Sequence, residues 1–340
     1  MKCANIAVFF DGTGQNRSKQ KREEWTNVAL LHDAMDMSEN KFPVQHRKYI
    51  DGVGTRNEEW LKGGGFGIGL DERIEEAYSF IFEEYNNVRE DGLDPHLFIF
   101  GFSRGAYAAR WLASLVQYGG IPKDASYVRR IFSLHREGKS PASLECDRWD
   151  NVSIDYLGLW DTVEASVNPS FGIVNVPECV RSVRHALAMD EWRFKFNPTR
   201  FSPSSKVEEL WFPGCHTDIG GGYLERGLAK APFIWIAEGA KNAGLATDDA
   251  AIRQSIEERS SVIKYHDELS DGGFGENSLW WLTNVCGNGS AKFYREMRAD
   301  DVYDQTYEIY APQAPANRMP VPSTCVVYDR PSRENDLMLV

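Results

Sequence analysis

Apolar residues in this chain come in short unbroken runs, each stopped by a polar, glycine-rich stretch. NIAVFF (Asn5–Phe10) ends at DGTGQN, and HLFIF (His96–Phe100) ends at GFSRG. SIDYLGLWDTV (Ser153–Val163) and KVEELWFPGCHTDIGGGY (Lys206–Tyr223) have the same form. Runs of this length without polar alternation predict strands buried on both faces. Between them, Ile74, Ala77, Tyr78, Ile81, Phe82 and Tyr85 follow helical spacing, which predicts an amphipathic helix over 74–85. The small-residue segment Arg104–Tyr118 predicts a second helix directly after the GFSRG turn. Strands alternating with helices imply an α/β fold, a mostly parallel sheet covered by helices on both faces. Ligands in such sheets sit beyond the carboxyl ends of the strands, where Asp11–Asn16, Gly101–Gly105, Asp161–Val163 and His216–Gly222 all fall.

After about Leu224 the pattern turns helical, in APFIWIAEGAKNAG and NSLWWLTNV, and the last thirty residues are proline-rich and weakly patterned. A single domain over 1–340 is expected. Residues 1–225 form the core sheet and site loops, 226–310 a helical cap or flank, and 311–340 an irregular tail. Trp280 and Trp281 read as core before they read as an interfacial lid. Apolar content of 42% with ten tryptophans suffices for a substantial core. The net charge of −12 excludes a general nucleic-acid binder, which needs clustered cations.

The six cysteines show no CxxC pair and no metal-ligand rhythm, so free thiols in a reducing compartment are expected. The first apolar run is too short for a signal peptide, and no run approaches a membrane span. The expectation is a soluble protein made in the cytosol, any export needing a signal-independent system.

Gly101-x-Ser103-x-Gly105 between a strand and a helix is the setting of a nucleophile elbow. A serine nucleophile needs a base, and the base an orienting carboxylate, which in this context follow in the order Ser, Asp or Glu, His. Of His135, His185, His216 and His266, His216 follows a strand-like run into a glycine-rich loop and is the favoured base. Among Asp155, Asp161, Glu164, Asp190 and Asp218, Asp161 stands at the end of YLGLW, on the rim expected for Ser103. Asp155 lies at the opposite end. Asp218 is tied to the His216 loop and is expected to support it. An oxyanion hole would use the Arg104 amide with a donor from Gly12, Thr13 or Gly14, in a loop that Asp11 folds through its side chain.

Rival motifs fail on particular residues. VFFDGTG has Phe9 where an aspartyl phosphatase needs its nucleophilic Asp, and GGGFGIGL has no GxGxxG register. Neither a GxxxxGK[ST] loop nor an HExxH site occurs, so no cofactor or metal is expected.

FFDGTGQN, GVGT with GGGFGIGLDERIEEAYSF, IFGFSRGAYAAR, YLGLWDTV and LWFPGCHTDIGGGY together resemble an α/β-hydrolase family that includes the catalytic domain of type VI secretion phospholipase effectors. HDEL with WWL, over 266–282, resembles that family's later region. The resemblance implies a hydrolase with Ser103, Asp161 and His216 at the triad positions. It further implies a glycerophospholipid or other ester as substrate, with transient contact at a membrane surface. An immunity-type protein partner follows only for a toxin. A soluble esterase, thioesterase or acyltransferase, and an idle scaffold that binds a lipid or protein, remain open alternatives.

Overall fold

Among the described residues the sheet's strands all pair in parallel, so each connection between them has to cross a face of the sheet and bring cover with it. The computed structural model describes residues 2–38, 42–55, 69–141, 144–164, 174–193, 196–257, 263–266, 295, 297, 301–305 and 325–328. Its strands are β1 (Cys3–Phe10), β2 (Val44–Ile50), β3 (Asp94–Phe102), β4 (Ile154–Trp160), β5 (Val183–Ala188), β6 (Val207–Phe212), β7 (Val302–Asp304) and β8 (Val326–Tyr328). They form one sheet in the order β2-β1-β3-β4-β5-β6-β7-β8. The helices are α1 (Asn27–Asp33), α2 (Leu70–Glu90), α3 (Arg104–Gly119), α4 (Val128–Arg136), α5 (His216–Gly220), α6 (Lys230–Asn242) and α7 (Asp249–Glu257).

The unbroken apolar runs follow from burial on both sides. In β1, Ile6, Val8 and Phe10 join one core with α2, α3 and α4, while Ala7 and Phe9 join the other with α1, α6 and α7. In β3, Leu97 and Ile99 face the first core and Phe98, Phe100 and Phe102 the second. Phe9 and Phe100 stack with ring centroids 4.7 Å apart across the paired central strands. A strand filling two cores has no polar face to display.

The α/β architecture agrees with the sequence pattern, and its boundaries differ in informative ways. Helix α2 extends past 74–85 at both ends, with Asp71 and Glu72 in its first turn and Arg89 in its last. Those charges suit the helix dipole and carry no apolar period. APFIWIA lies within α6, where Phe233, Ile234, Trp235 and Ile236 are core residues. Two expectations for the C-terminal region are corrected. Val302–Asp304 lies in a strand where a helical flank was expected, and Val326–Tyr328 in a strand where an irregular tail was expected. Three-residue strands are too short to show a period, and the existing sheet edge supplies their hydrogen-bond partners. Trp280, Trp281 and the glycine-rich stretch 56–68 lie outside the described residues. Among the described residues no helix is long and apolar enough to cross a membrane.

Phe100→Ala should cost about 3–5 kcal/mol of stability by opening a cavity on the face of β3 that packs in the core with α6. Leu224→Ala, at a side chain 61% exposed, should stay within about 0.5 kcal/mol of the parent. Urea unfolding of both variants checks this, and equal losses would contradict the core assignment.

Candidate active site

The turn from β3 into α3 is built on close main-chain approach. A Cβ on Gly101 would lie 2.5 Å from the Gly105 carbonyl oxygen, and one on Gly105 would lie 2.5 Å from the carbonyl oxygens of both Phe10 and Asp11. Any side chain at either position would push α3 off the sheet. Squeezed between these glycines, Ser103 takes φ 59° and ψ −127°, a conformation that a non-glycine residue adopts at an energetic cost. Its amide donates to the Trp160 carbonyl at 3.0 Å, tying the turn to the end of β4. Ser103 is the N-cap of α3, yet its hydroxyl makes no capping hydrogen bond. The amides that follow it, Arg104 first, therefore start the helix without side-chain satisfaction from their own cap. The Arg104 guanidinium is pushed down to about 10 by burial, with the nearby Arg73 charge acting in the same direction.

Asp161 ends β4 on the same rim and has φ 42°, a second non-glycine residue in the left-handed region. It is fully buried. Its Oδ2 accepts from His216 Nδ1 at 2.6 Å, while Oδ1 accepts from the Ala188 amide at 3.0 Å. Arg295 donates to both oxygens, Nη1 to Oδ1 at 2.6 Å and Nη2 to Oδ2 at 2.9 Å. Burial alone would raise the carboxyl's pKa. The Arg295 charge and the His216 hydrogen bond outweigh it and hold the group below the ordinary carboxylate range. An ionised carboxylate can only accept, so His216 Nδ1 carries the proton and Nε2 is the basic nitrogen of the neutral ring. Burial pushes the His216 imidazole below its usual value, against the pull of Asp161. The ring lies 4.7 Å from that of Phe102, the residue before Ser103, and 5.0 Å from Phe196.

The loop carrying His216 is held from below. Asp218 Oδ2 accepts from the Cys215 amide at 3.0 Å and caps the short α5, and its Oδ1 pairs with His266 Nδ1 at 2.7 Å. Asp218 is thus committed to its own loop and to His266, and His216 turns to Asp161. Burial raises the Asp218 carboxyl, with His266 opposing. On the other side, Asp11 accepts from the Gly12 amide at 2.7 Å, Thr26 Oγ1 at 2.8 Å and the Tyr49 hydroxyl at 2.6 Å, pinning the loop after β1. Of the three donors expected for an oxyanion hole in this loop, the Gly12 amide donates to Asp11 Oδ1 and the Gly14 amide to the Val53 carbonyl at 2.9 Å. The Thr13 hydroxyl is buried and has no hydrogen-bond partner among the described residues.

Of the remaining candidates, Asp155 sits at the start of β4 with Arg181 at 2.7 Å, far along the strand from Asp161. Asp190 accepts from the Gly214 amide at 2.6 Å. His135 contacts Ser114 Oγ at 3.1 Å on the α3–α4 face. His185, another of the sequence's histidine candidates, has a supporting position: its Nε2 accepts from the Thr162 amide at 3.1 Å, next to Asp161. Its Nδ1 meets Glu209 at 2.9 Å, and Glu209 accepts from Arg200 at 2.8 Å. Arg200 in turn grips Asp301 through two contacts of 2.9 and 2.6 Å. Glu209 is the second of two adjacent glutamates, Glu208 and Glu209, in the strand-like run KVEELWF, a signal visible in the sequence. Arg295 and Asp301 carry no local motif and are brought in by the fold. Among the described residues no group of three or more His, Cys, Asp and Glu could hold a metal ion.

Over residues 4–239 the chain matches the family described as type VI secretion system phospholipase effector Tle1-like, catalytic domain. It is 24% identical over 242 residues to an uncharacterised protein of Saccharomyces cerevisiae, covering 61% of this chain and 34% of that protein. Among solved structures, it is similar to the Tle1 effector bound to the VgrG spike of the type VI secretion system, with 22% identity and a TM-score of 0.42, covering 65% of this chain and 51% of that one. An uncharacterised protein from Pseudomonas aeruginosa is similar at 16% identity and a TM-score of 0.47, covering 84% and 56% respectively. The chain thus spans about a third to a little over half of the length of these relatives.

Burial lifts the Asp11 carboxyl from 3.8 to about 6, against its three hydrogen bonds. A raised acid pKa means that the folded protein holds this proton more tightly than the unfolded chain does. The resulting stabilisation is full below about pH 4 and is lost as pH rises through about 6. Asp11→Asn removes the titration, so parent minus variant stability should fall across that window. Urea unfolding at several pH values checks it, and a flat or rising difference would refute the assignment.

Proposed function

Because the chain belongs to the family of type VI secretion Tle1-like phospholipase effector catalytic domains, we propose that it is a serine hydrolase that cleaves carboxylic esters of glycerophospholipids. The observation that carries the reading is the buried Asp161–His216 pair, 2.6 Å apart, on the rim where the strained Ser103 turn ends β3. In this reading His216 Nε2 takes the Ser103 proton as Oγ attacks the ester carbonyl. Asp161 holds the ring and supports the imidazolium that forms. The developing oxyanion is met by the Arg104 amide at the start of α3, with Thr13 as second donor. His216 returns the proton to the departing alcohol, which leaves an acyl-serine. Water, deprotonated by the same imidazole, then attacks the acyl carbonyl, and the imidazolium returns the proton to Ser103 Oγ as the acyl–oxygen bond breaks and the fatty acid leaves.

No cofactor takes part. A neutral, buried His216 suits the role, because a base must be unprotonated before it can act. Strain at Ser103 and Asp161 fits a centre whose reacting groups are held by their surroundings, since such strain persists only where neighbouring structure enforces it.

Fatty-acid release from mixed phospholipid vesicles, with a short p-nitrophenyl ester alongside, tests the proposal. Ser103→Ala and His216→Ala should each lower kcat by about 10⁴–10⁶-fold with the fold intact. Asp161→Asn should lower it by about 10⁴-fold. Release from vesicles that depends on Ser103 supports the phospholipase reading. Turnover of the short ester alone would replace it with a soluble esterase, and no turnover of either by folded protein would leave a binding scaffold.

A further inference from the structure

Resting on the reading of Ser103, Asp161 and His216 as the reacting groups, we propose that Arg295 is a positioning residue of that centre, a two-point clamp that fixes the plane of the Asp161 carboxylate and offsets its charge. The contact is two-pronged, through both terminal nitrogens of the guanidinium. Nη1 reaches Oδ1 at 2.6 Å and Nη2 reaches Oδ2 at 2.9 Å, between side chains 1% and 0% exposed. With the Ala188 amide on Oδ1 and His216 Nδ1 on Oδ2, each carboxylate oxygen accepts from two donors. The planar guanidinium matches a carboxylate edge in a way a point charge cannot. The same fork donates to the Ala188 carbonyl at 2.9 Å and to the Phe196 carbonyl. It thereby joins the Asp161 turn, the end of β5 and the residue whose ring flanks His216.

The charge matters as much as the geometry. His216 faces Asp161 on one side, and its amide donates to Glu191 at 3.3 Å on the other. Glu191 is itself paired with Arg193 at 2.7 Å, and Asp218 with His266 at 2.7 Å. The second imidazole near Asp161, His185, accepts the Thr162 amide at Nε2 and pairs with Glu209 through Nδ1. Around His216 the two carboxylates Asp161 and Glu191 are each matched by one guanidinium. Without Arg295 the Asp161 carboxylate would act on the imidazole uncompensated and raise its proton affinity, so that less of it is free to accept the Ser103 proton at a given pH. Arg295 lies beyond residues 4–239, the span of the family match. A residue outside the matched segment therefore completes the centre.

Arg295→Gln and Arg295→Lys separate the two effects. Thermal unfolding, the pH profile of kcat and KM on a p-nitrophenyl ester, and the imidazole NMR titration of His216 would be measured on each. Gln should move the acid limb of the profile to higher pH by about one unit and lower kcat on the order of 100-fold with little change in KM. Lys keeps the charge but loses the fork, so its limb should stay at the parent position while kcat still falls.

A Gln variant with the parent's limb and kcat within about twofold would overturn the proposal. So would Lys and Gln variants alike in both readouts, which would indicate a merely structural role. If Gln does not fold, Lys decides: His216 titrating at the parent position by NMR with kcat lowered at least about 10-fold supports the clamp, and kcat within about twofold of the parent overturns it. The NMR readout needs no turnover. A protein silent on every ester, yet with His216 shifted upward in the Gln variant, would lose the proposed function and keep the clamp.

Discussion

The first turn of α3 rests on bare main chain, and the site depends on that contact. Gly101 and Gly105 let the helix approach β1 and β3 to a distance that a single methyl group would prevent. The approach forces Ser103 into its strained conformation and turns it to the rim where the central strands end. The same packing places the carbonyls of Phe10 and Asp11 against the helix start, so the loop after β1 cannot drift away from the turn. Asp11 then locks that loop through Thr26 and Tyr49. Strain at the turn, its position and the shape of the neighbouring loop have one physical origin.

A parallel sheet delivers the other two groups. Since β3, β4, β5 and β6 run side by side in one direction, residues that follow them emerge on a common edge. Asp161 directly follows β4, and His216 opens the short α5 after β6, two strands further along the sheet. The buried charges there are nearly all partnered. Asp161 meets Arg295, Glu191 meets Arg193, and Asp218 meets His266. A dry rim dense in charge is tolerable only in this state, because removing one partner leaves an uncompensated buried ion at a cost of several kcal/mol. The line from Thr162 through His185, Glu209 and Arg200 to Asp301 carries the same principle to the base of the Asp161 turn.

The local part of the fold was legible in the sequence. Apolar runs marked β1, β3 and β4, which are buried along nearly their whole length, and the LWF end of β6. Glycine spacing around Ser103 marked the turn because close approach forbids side chains. Asp161 and His216 were legible as strand-end residues, since strand ends and loops are local features. The ends of α2 were less visible, because charged first and last turns have no apolar period, and the three-residue strands β7 and β8 at one end of the sheet were not visible at all. Three residues become a strand when a sheet edge is waiting for them, and that edge exists only after folding.

Which groups meet across the rim was a different matter. The choice of Asp161 over Asp218 as the partner of His216 turns on where Asp218 finds its own partners, Cys215 and His266. The loss of the Gly12 amide to Asp11 likewise depends on a turn conformation that spacing does not encode. Arg295 reaches Asp161 across 134 positions of chain, and nothing around it in the sequence announces the contact. By itself the sequence determined the periodicities, the glycine turn and the identity of the groups at each strand end, all set by interactions between near neighbours. Tertiary structure alone decided which buried charges pair, because that choice is made by desolvation and geometry between segments that become neighbours only when the chain is folded.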